Sequence, residues 1–382
     1  MKYFLSLLFF CLLACNSPKE SDATNEEIDP VVEREFYLGA DLSYVNEIED
    51  CGANFRSENN LVDPYQLFAE KNCNLVRIRK WHTPDFSPYS NYEDIEKSLQ
   101  RAKQNAMPLL LDFHYSDTWA DPEKQYIPEA WKDITSTTIL GDSVYQYTVQ
   151  TLEKLKAKGL LPEMVQIGNE TNNEILQPYG THAESINWER NAFLLNRGLE
   201  AVDDFNLQHQ TSIEKMLHIA QPENALWWFA EAHQNGIGNY DWIGLSYYPL
   251  WSEYQLDRIA EAIELLKNTY QKKVMIVETA YPYTLENADE ANNILSQSAL
   301  IDGYPATPEG QKQYLLDLTQ EVINGGGKGV IYWEPAWVTS DCHTLWGHGS
   351  HWDNATFFNA QEQNNALPAF DYYQLENYTF DE

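Results

Sequence analysis

The sequence predicts an α/β fold in the form of a single (β/α)8 TIM barrel. Short apolar runs typical of buried parallel strands recur eight times along the 382 residues, and helical patterns lie between them. Polar and aromatic residues follow these runs, as they do where barrel strands open onto an active site. A doubly wound open sheet is the competing fold, but segment 39–43, after the first run, is not the Gly-rich phosphate turn expected there. Strand–helix alternation in a chain of this length therefore favours the barrel.

The elements follow from runs of β-branched and aliphatic residues and from helical periodicity. The predicted strands are 36–41, 75–79, 108–114, 164–170, 216–220, 242–247, 274–278 and 329–334. The fifth is the weakest, because it is short and a Gln-Pro pair follows it. The predicted helices are 92–105, 138–158, 186–205, 223–235, 253–270 and 308–323. The triple glycine 325–327 precedes a strand, which indicates a helix-to-strand turn and not a phosphate loop.

The N-terminal residues predict export. A basic start, an apolar run and small residues make 1–14 a signal peptide, too short to span a membrane as a mature helix. Leu12-Leu13-Ala14-Cys15 resembles a bacterial lipobox, which implies cleavage before Cys15 and a lipid anchor there; an ordinary signal with an incidental cysteine is the alternative. We expect 15–34, polar and acidic, to be a flexible tether. The catalytic domain would be 35–382, in a cell-surface or periplasmic lipoprotein.

Three cysteines remain after the signal segment, namely Cys51, Cys73 and Cys342. Because three is odd, at most one intramolecular disulfide forms in an oxidising compartment, and the sequence leaves the pairing open. Their spacing matches no zinc pattern.

Composition limits the partners. The net charge of −33 excludes nucleic acid, which requires a basic surface, and disfavours a polyanionic substrate. The 12 tryptophans and 24 tyrosines suit a large core and also the apolar C–H faces of sugar rings. A neutral polysaccharide fits these features best, and we expect the chain to be a monomer.

Two glutamates follow apolar strands at the end where a barrel places its chemistry. One strand runs into Asn169-Glu170, and another ends at Glu278. Two strand-end glutamates are the minimum that a retaining glycosidase requires, one as nucleophile and one as acid/base. Further strand-end candidates share a polar or aromatic character: Asp41, Arg79, His114, Tyr247, Trp333 and Glu334.

Four motifs, 112–122, 167–170, 244–249 and 332–337, resemble glycoside hydrolase family 53, the arabinogalactan endo-β-1,4-galactanases. The resemblance spans about 36–358. It implies a barrel with acid/base and nucleophile on strands four and seven. It also implies hydrolysis of internal β-1,4 bonds of galactan side chains of pectin, with retention at the anomeric carbon.

The resemblance also implies roles for single residues. Glu170 matches the acid/base, Glu278 the nucleophile, and Asn169 the residue that holds the sugar 2-hydroxyl. Tyr247 matches a tyrosine that orients the nucleophile, and Arg79 (or Arg77) an arginine that keeps it ionised. The remaining substrate-binding candidates are Trp333 as the floor of the cleavage subsite, Asp117, Trp119 and Trp337 as neighbouring walls, and His114, for which a core histidine is the alternative.

Two departures from the family pattern stand out. His82 lies where other members carry a different residue, so no role is transferred to it. The loop 284–293 keeps oxygen ligands at alternating positions but lacks the histidine of a family calcium site. No cofactor is therefore expected to be required, a solvated acidic loop is favoured, and a structural calcium stays open.

Rival functions remain. Another endo-β-glycanase of the same clan, acting on mannan, xylan or glucan, would share both glutamates. A non-catalytic surface glycan-binding lipoprotein would tolerate the loss of either one. A metal-dependent hydrolase is disfavoured, because the nine histidines show no paired spacing such as His-Glu-x-x-His.

Overall fold

A computed structural model of the chain describes residues 36–380, and it confirms the predicted barrel. Eight parallel strands pair in chain order and close with β1 against β8. The strands are β1 Tyr37–Asp41, β2 Leu75–Lys80, β3 Leu109–Phe113, β4 Met164–Ile167, β5 Glu214–Ala220, β6 Trp242–Ser246, β7 Lys273–Glu278 and β8 Gly329–Tyr332.

Helices cover the outside of the barrel. Within residues 36–380 they are α1 Val45–Asp50, α2 Pro64–Glu70, α3 Tyr92–Gln104, α4 Thr137–Ala157, α5 Trp188–His209, α6 Pro222–Gln234, α7 Ile259–Tyr270 and α8 Pro308–Asn324. The first two were not predicted, because six or seven residues are too few for a helical period to show. A short 3₁₀ turn, Leu256–Arg258, takes up part of the segment predicted to begin α7.

The barrel interior is layered, and this layering positions the site. Apolar side chains fill the interior below the site: Leu75, Leu110, Met164, Met216, Trp242, Met275, Val277 and Ile331. Side chains alternate between the two faces of a strand, so a residue two positions further along points inward one layer higher. That next layer is polar and buried, with Arg77, Asp112, Gln166 and His218. The apolar layer therefore supports a charged network at the carboxyl ends of the strands.

One disulfide, between Cys51 and Cys342, closes the rim of the barrel. It joins the residue after α1 to the segment after β8, with Cα atoms 5.2 Å apart. Cys73 is buried and takes no part in it. A small antiparallel hairpin, His343–Thr344 with Gly347–His348, begins directly after Cys342, so the disulfide anchors this hairpin.

Within 36–380, none of the helices combines the length and the apolar character that a membrane span requires. The predicted signal peptide, tether and Cys15 anchor lie outside the described residues.

Candidate active site

The two predicted glutamates meet at the carboxyl ends of β4 and β7. A carboxylate oxygen of Glu170 and one of Glu278 lie within 4.8 Å of each other. Retaining glycosidases separate their two carboxyl groups by about 5–5.5 Å, whereas inverting enzymes need about 6.5–9.5 Å to admit a water. The spacing therefore suits direct attack by one carboxylate and proton donation by the other.

Glu278 is the residue of the pair that a cation holds. Its Oε1 lies 2.8 Å from Nη1 of Arg77, and its Oε2 accepts a hydrogen bond of 3.2 Å from the Tyr248 hydroxyl. Burial raises the pKa of Glu278 to about 7, and the Arg77 guanidinium opposes this rise. The ion pair favours the ionised form, which a nucleophile requires.

Arg77 is fixed by more than its ion pair with Glu278. Its Nη1 also bonds Asp41 Oδ2 at 2.8 Å, and its Nη2 bonds Asp112 Oδ2 at 2.9 Å and Asn169 Oδ1 at 2.8 Å. A planar guanidinium held on several sides needs no reorganisation when charge develops in the cleft. The strand-end Asp41 thus acts through Arg77.

The assignment of Arg79 to the nucleophile is wrong, and Arg77 takes that place. Arg79 pairs with Glu334 at 2.6 Å and lies between the rings of Tyr44 and Trp119, at 4.1 and 4.5 Å from their centroids. Strand alternation puts both arginines on one face but does not say which of them lies level with Glu278. Arg79 is 2% exposed and braces the aromatic wall of the cleft.

The assignment of Tyr247 as the orienting tyrosine is also wrong, by one residue. Its hydroxyl donates to the backbone oxygen of Tyr254 at 3.1 Å, and its neighbour Tyr248 contacts Glu278. The pairing of β6 with β7 shifts register between Leu245 and Ser246. Ser246 and Tyr248, two positions apart, each contact one of the two glutamates, whereas Tyr247 lies on the other face of the strand.

Glu170 lies in a different environment. Its Oε1 accepts a hydrogen bond of 2.6 Å from the Ser246 hydroxyl, and it has no guanidinium of its own. Burial and the nearby charge of Glu278 raise its pKa well above the usual range. Two carboxyls whose environments separate their pKa values are suited to acid and nucleophile roles. Strand β4 ends at Ile167, and Glu170 has a φ of +43°, so a tight turn carries this side chain into the site.

Asn169 is held next to Glu170. Its Nδ2 donates to Ala120 O at 2.8 Å, and its Oδ1 accepts from Arg77. An amide nitrogen carries two hydrogens, so one remains to bind a sugar hydroxyl.

His114 and Asp117 hold loops in place. His114 Nε2 contacts Asp112 at 3.0 Å and its Nδ1 accepts from the Ala120 N–H, so both ring nitrogens serve the protein, which supports the core-histidine alternative over substrate binding. The Asp117 carboxylate accepts from the backbone N–H groups of Thr83 and Glu129, both at 2.7 Å. Loop packing therefore accounts for its carboxylate.

Aromatic side chains form the floor and one wall. Trp333 is 9% exposed, packs on Trp352 with ring centroids 4.7 Å apart, and lies 5.9 Å from the partly buried Trp119. Trp337 is wrong as a subsite wall, because it is fully buried and stacked on Tyr44. Trp346, at the hairpin turn near Trp119, is 40% exposed and was not predicted. Trp346 lies outside every predicted strand and helix, so no pattern in the sequence pointed to it.

His218 is a second residue that was not singled out. It lies in the middle of β5 and is fully buried, with Nε2 2.8 Å from Ser246 Oγ. Burial and the Arg77 charge lower its pKa well below the usual value, so the ring is neutral. A lone histidine among the apolar residues of the predicted fifth strand was the available signal.

No acidic cluster suited to a cation is found outside the catalytic pair among residues 36–380. The one group close enough is Glu170, His218 and Glu278, and its ligand atoms already bond Ser246, Arg77 and Tyr248. In loop 284–293, for which the sequence left a structural calcium open, the Asp289 carboxylate accepts from Thr339, Ala291 and Ser350. Asp353, far from this loop in sequence, accepts from its residues Ala288 and Asn293. Both carboxylates are thus hydrogen-bonded to protein donors.

A groove of about 1100 Å³ lies among the loops that follow β2, β3 and β4. Phe86, Tyr126 and Tyr179 contribute aromatic surface, and Asp117 and Glu174 contribute carboxylates. Glu170 and Glu278 do not line this groove.

Comparison with known proteins gives consistent matches. The family model described as glycosyl hydrolase family 53 matches residues 37–373. An arabinogalactan endo-beta-1,4-galactanase of Cellvibrio japonicus is 57% identical over 342 residues, 89% of this chain and 91% of that protein. An endo-beta-1,4-galactanase of Bacillus subtilis is 36% identical over 80% of this chain and 71% of its own. The solved GH53 catalytic domain of Ignisphaera aggregans, 30% identical, superposes with a TM-score of 0.80 over 92% of this chain and 99% of that domain.

Proposed function

Because the chain belongs to glycosyl hydrolase family 53, we propose that it is an endo-β-1,4-galactanase that hydrolyses internal bonds of galactan and arabinogalactan side chains of pectin with retention. The observation that carries this proposal is the pair of buried glutamates whose carboxylate oxygens approach within 4.8 Å. The similarity to named galactanases supplies the substrate.

The reaction follows from the two environments. Glu278, ionised beside Arg77, attacks the anomeric carbon, while Glu170 gives its proton to the departing glycosidic oxygen. The products are a galactosyl ester on Glu278 and a shortened chain with a free hydroxyl. Glu170, now ionised, takes a proton from water, whose oxygen attacks the same carbon and releases Glu278. Two inversions restore the original configuration, and no cofactor takes part.

The surroundings suit a neutral sugar. Trp333 at the floor and Trp119 beside it offer apolar faces to sugar C–H groups, and Asn169 offers an N–H to a hydroxyl. The network of Arg77, Asp41 and Asp112 holds one basic and two acidic side chains, so the cleft offers no net positive charge to a polyanion.

A product profile tests the proposal. Residues 33–382 are incubated with debranched β-1,4-galactan, mannan and xylan, with Glu278→Gln as the inactive control. We expect a ladder of galacto-oligosaccharides from galactan alone. Proton NMR during the reaction should show that the newly formed reducing ends are β-anomers. Cleavage of mannan or xylan alone would favour the related endo-glycanases, and binding without cleavage would favour a glycan-binding protein.

We also propose that the chain is exported and anchored by a lipid on Cys15, and that it acts as a monomer. The lipobox-like Leu12-Leu13-Ala14-Cys15 supports the anchor. Radiolabelled palmitate should label the wild type, and Cys15→Ser should release unlabelled protein from the membrane fraction. Labelling that persists in Cys15→Ser would refute the anchor, and sedimentation of the 35–382 domain tests the monomer.

We propose that loop 284–293 holds its shape without calcium. The hydrogen bonds of Asp289 and Asp353 to protein donors support this. A chelator should leave the melting temperature unchanged, whereas a drop that calcium reverses would establish a structural site.

A further inference from the structure

Behind the acid/base lies a short chain of buried hydrogen bonds that the mechanism above does not use. Ser246 Oγ donates to Glu170 Oε1 at 2.6 Å, and His218 Nε2 lies 2.8 Å from the same hydroxyl oxygen. Both residues are fully buried. Among residues 36–380, Ser246 makes the one protein hydrogen bond to the Glu170 carboxylate.

The surroundings of His218 accept either neutral tautomer. A neutral imidazole has one donor and one acceptor nitrogen. Nδ1 lies 3.0 Å from the donor Gln166 Nε2 and 3.4 Å from the Glu170 N–H, and also 2.9 Å from the acceptor Asn169 Oδ1. Nδ1 is satisfied in both cases. In the tautomer with its proton on Nε2, that N–H donates to Ser246 Oγ and leaves the single hydroxyl proton of Ser246 for Glu170.

We propose that Ser246, supported by His218, is a positioning residue that binds Oε1 of Glu170 in both of its ionisation states and thereby directs Oε2 at the glycosidic oxygen. The inference rests on the proposed function. Oε1 keeps an acceptor lone pair whether the carboxyl is ionised or carries its proton on Oε2, so the Ser246 hydroxyl donates to it in both states. A lysine or arginine at this place would also donate, but its charge would favour the ionised form that cannot protonate the leaving group.

Replacing Ser246 by alanine removes none of the charged or titratable groups that face Glu170 and His218. Glu170 is faced by Glu278, Asp121 and Arg77, and His218 by Arg77 and His114. A change in the pH profile of a Ser246 variant therefore reports the lost hydrogen bond.

The test is the pH dependence of Ser246→Ala. The hydroxyl stabilises ionised Glu170, so its loss raises the pKa of Glu170. We expect the alkaline limb of kcat/KM on galactan to move up by about one pH unit. The leaving group of 2,4-dinitrophenyl β-galactobioside needs no acid, so Glu170 is then required only as the base, in its ionised form. A raised pKa leaves less ionised Glu170 at low pH, so kcat of Ser246→Ala should fall mainly there.

Three further variants complete the design. Ser246→Thr keeps the hydroxyl and should restore the wild-type profile, and Ser246→Cys, a weaker donor, should shift it in the same direction by less. Ser98→Ala removes a buried hydroxyl from α3 and should leave the profile unchanged. Circular dichroism establishes that each variant is folded.

Two failures are distinguishable. If the wild type cleaves galactan and the Ser246 variants lose rate equally at every pH and on both substrates, the positioning role is refuted and the proposed function stands. If the wild type itself leaves galactan intact, the proposed function is refuted.

Discussion

Removing the hydroxyl of Tyr248 should impair the nucleophile, whereas the same change at Tyr247 should not. Tyr248 donates to Glu278 Oε2 at 3.2 Å, and Tyr247 donates to a backbone carbonyl at 3.1 Å. The two substitutions to phenylalanine remove the same atom from neighbouring buried rings. The pair is therefore a matched test of which tyrosine serves the site.

The magnitudes follow from the two partners. Hydrogen bonds to charged groups contribute about 1.5–3 kcal/mol, and the 3.2 Å length points to the lower end, so Tyr248→Phe should lower kcat/KM by about tenfold. The lost donor also disfavours ionised Glu278, whose pKa should rise from about 7 by about one unit. The acidic limb of kcat/KM should move up accordingly.

Tyr247→Phe loses a hydrogen bond between neutral groups, worth about 1 kcal/mol of stability, and should keep kcat/KM within about twofold. With an unfolding entropy of about 2.1 cal/mol/K per residue, this corresponds to about 1–2 °C in Tm for a domain of this size. Initial rates on galactan across pH and a thermal melt measure both effects. Equal losses in the two variants, or a larger loss in Tyr247→Phe, would refute the assignment of Tyr248.

Three more predictions concern the catalytic pair and the disulfide. Glu170→Ala should lower kcat on galactan by about 10²–10⁴-fold but spare release of dinitrophenol, and added azide should yield a β-galactosyl azide; equal losses on both substrates would contradict its acid role. Glu278→Gln should be inactive, and its stability relative to wild type should rise with pH. Because the pKa of Glu278 is about 7 in the folded state and 4.5 ordinarily, its contribution to the wild-type free energy of unfolding is complete below pH 4.5. This contribution falls by up to about 3 kcal/mol as pH rises through 7. Urea unfolding at pH 5 and 8 measures the effect, and a difference between variant and wild type that is the same at both pH values would contradict it. The double variant of Cys51 and Cys342 to serine opens a loop of sequence separation 291, for which chain entropy gives about 6 kcal/mol, and calorimetry should show Tm lower by about 4–8 °C; an unchanged Tm would mean the bond is absent in solution.

The structure separates two roles that one sequence motif combines. Arg77 and Arg79 lie two residues apart on β2, yet Arg77 bonds the nucleophile and Arg79 bonds Glu334 under the aromatic wall. Arg77→Lys would therefore be expected to act on ionisation of Glu278, and Arg79→Lys on the packing of Trp119. Glu278 and the aromatic wall of the cleft are thus held by separate buried ion pairs.

The sequence by itself determined the barrel and the identity of the two glutamates. Apolar runs alternating with helical periods specify strands and helices, and the carboxyl ends of barrel strands always face one side, so Glu170 and Glu278 had to converge. The short helices α1 and α2 lay below the length at which periodicity is visible. Motifs and periodicity together therefore predict the barrel and the end of it at which the site lies.

Only the tertiary structure decided which neighbour does what. Alternation assigns a residue to a face but gives no register between strands, so it could not choose Arg77 over Arg79. Alternation puts Tyr248 on the same face of β6 as Ser246, and the contact of Tyr248 with Glu278 in the folded protein identifies it, and not Tyr247, as the tyrosine at the site. The pairing of Cys51 with Cys342, the burial of Trp337 and the relay through His218 all depend on contacts between segments far apart in the chain, which local sequence does not encode.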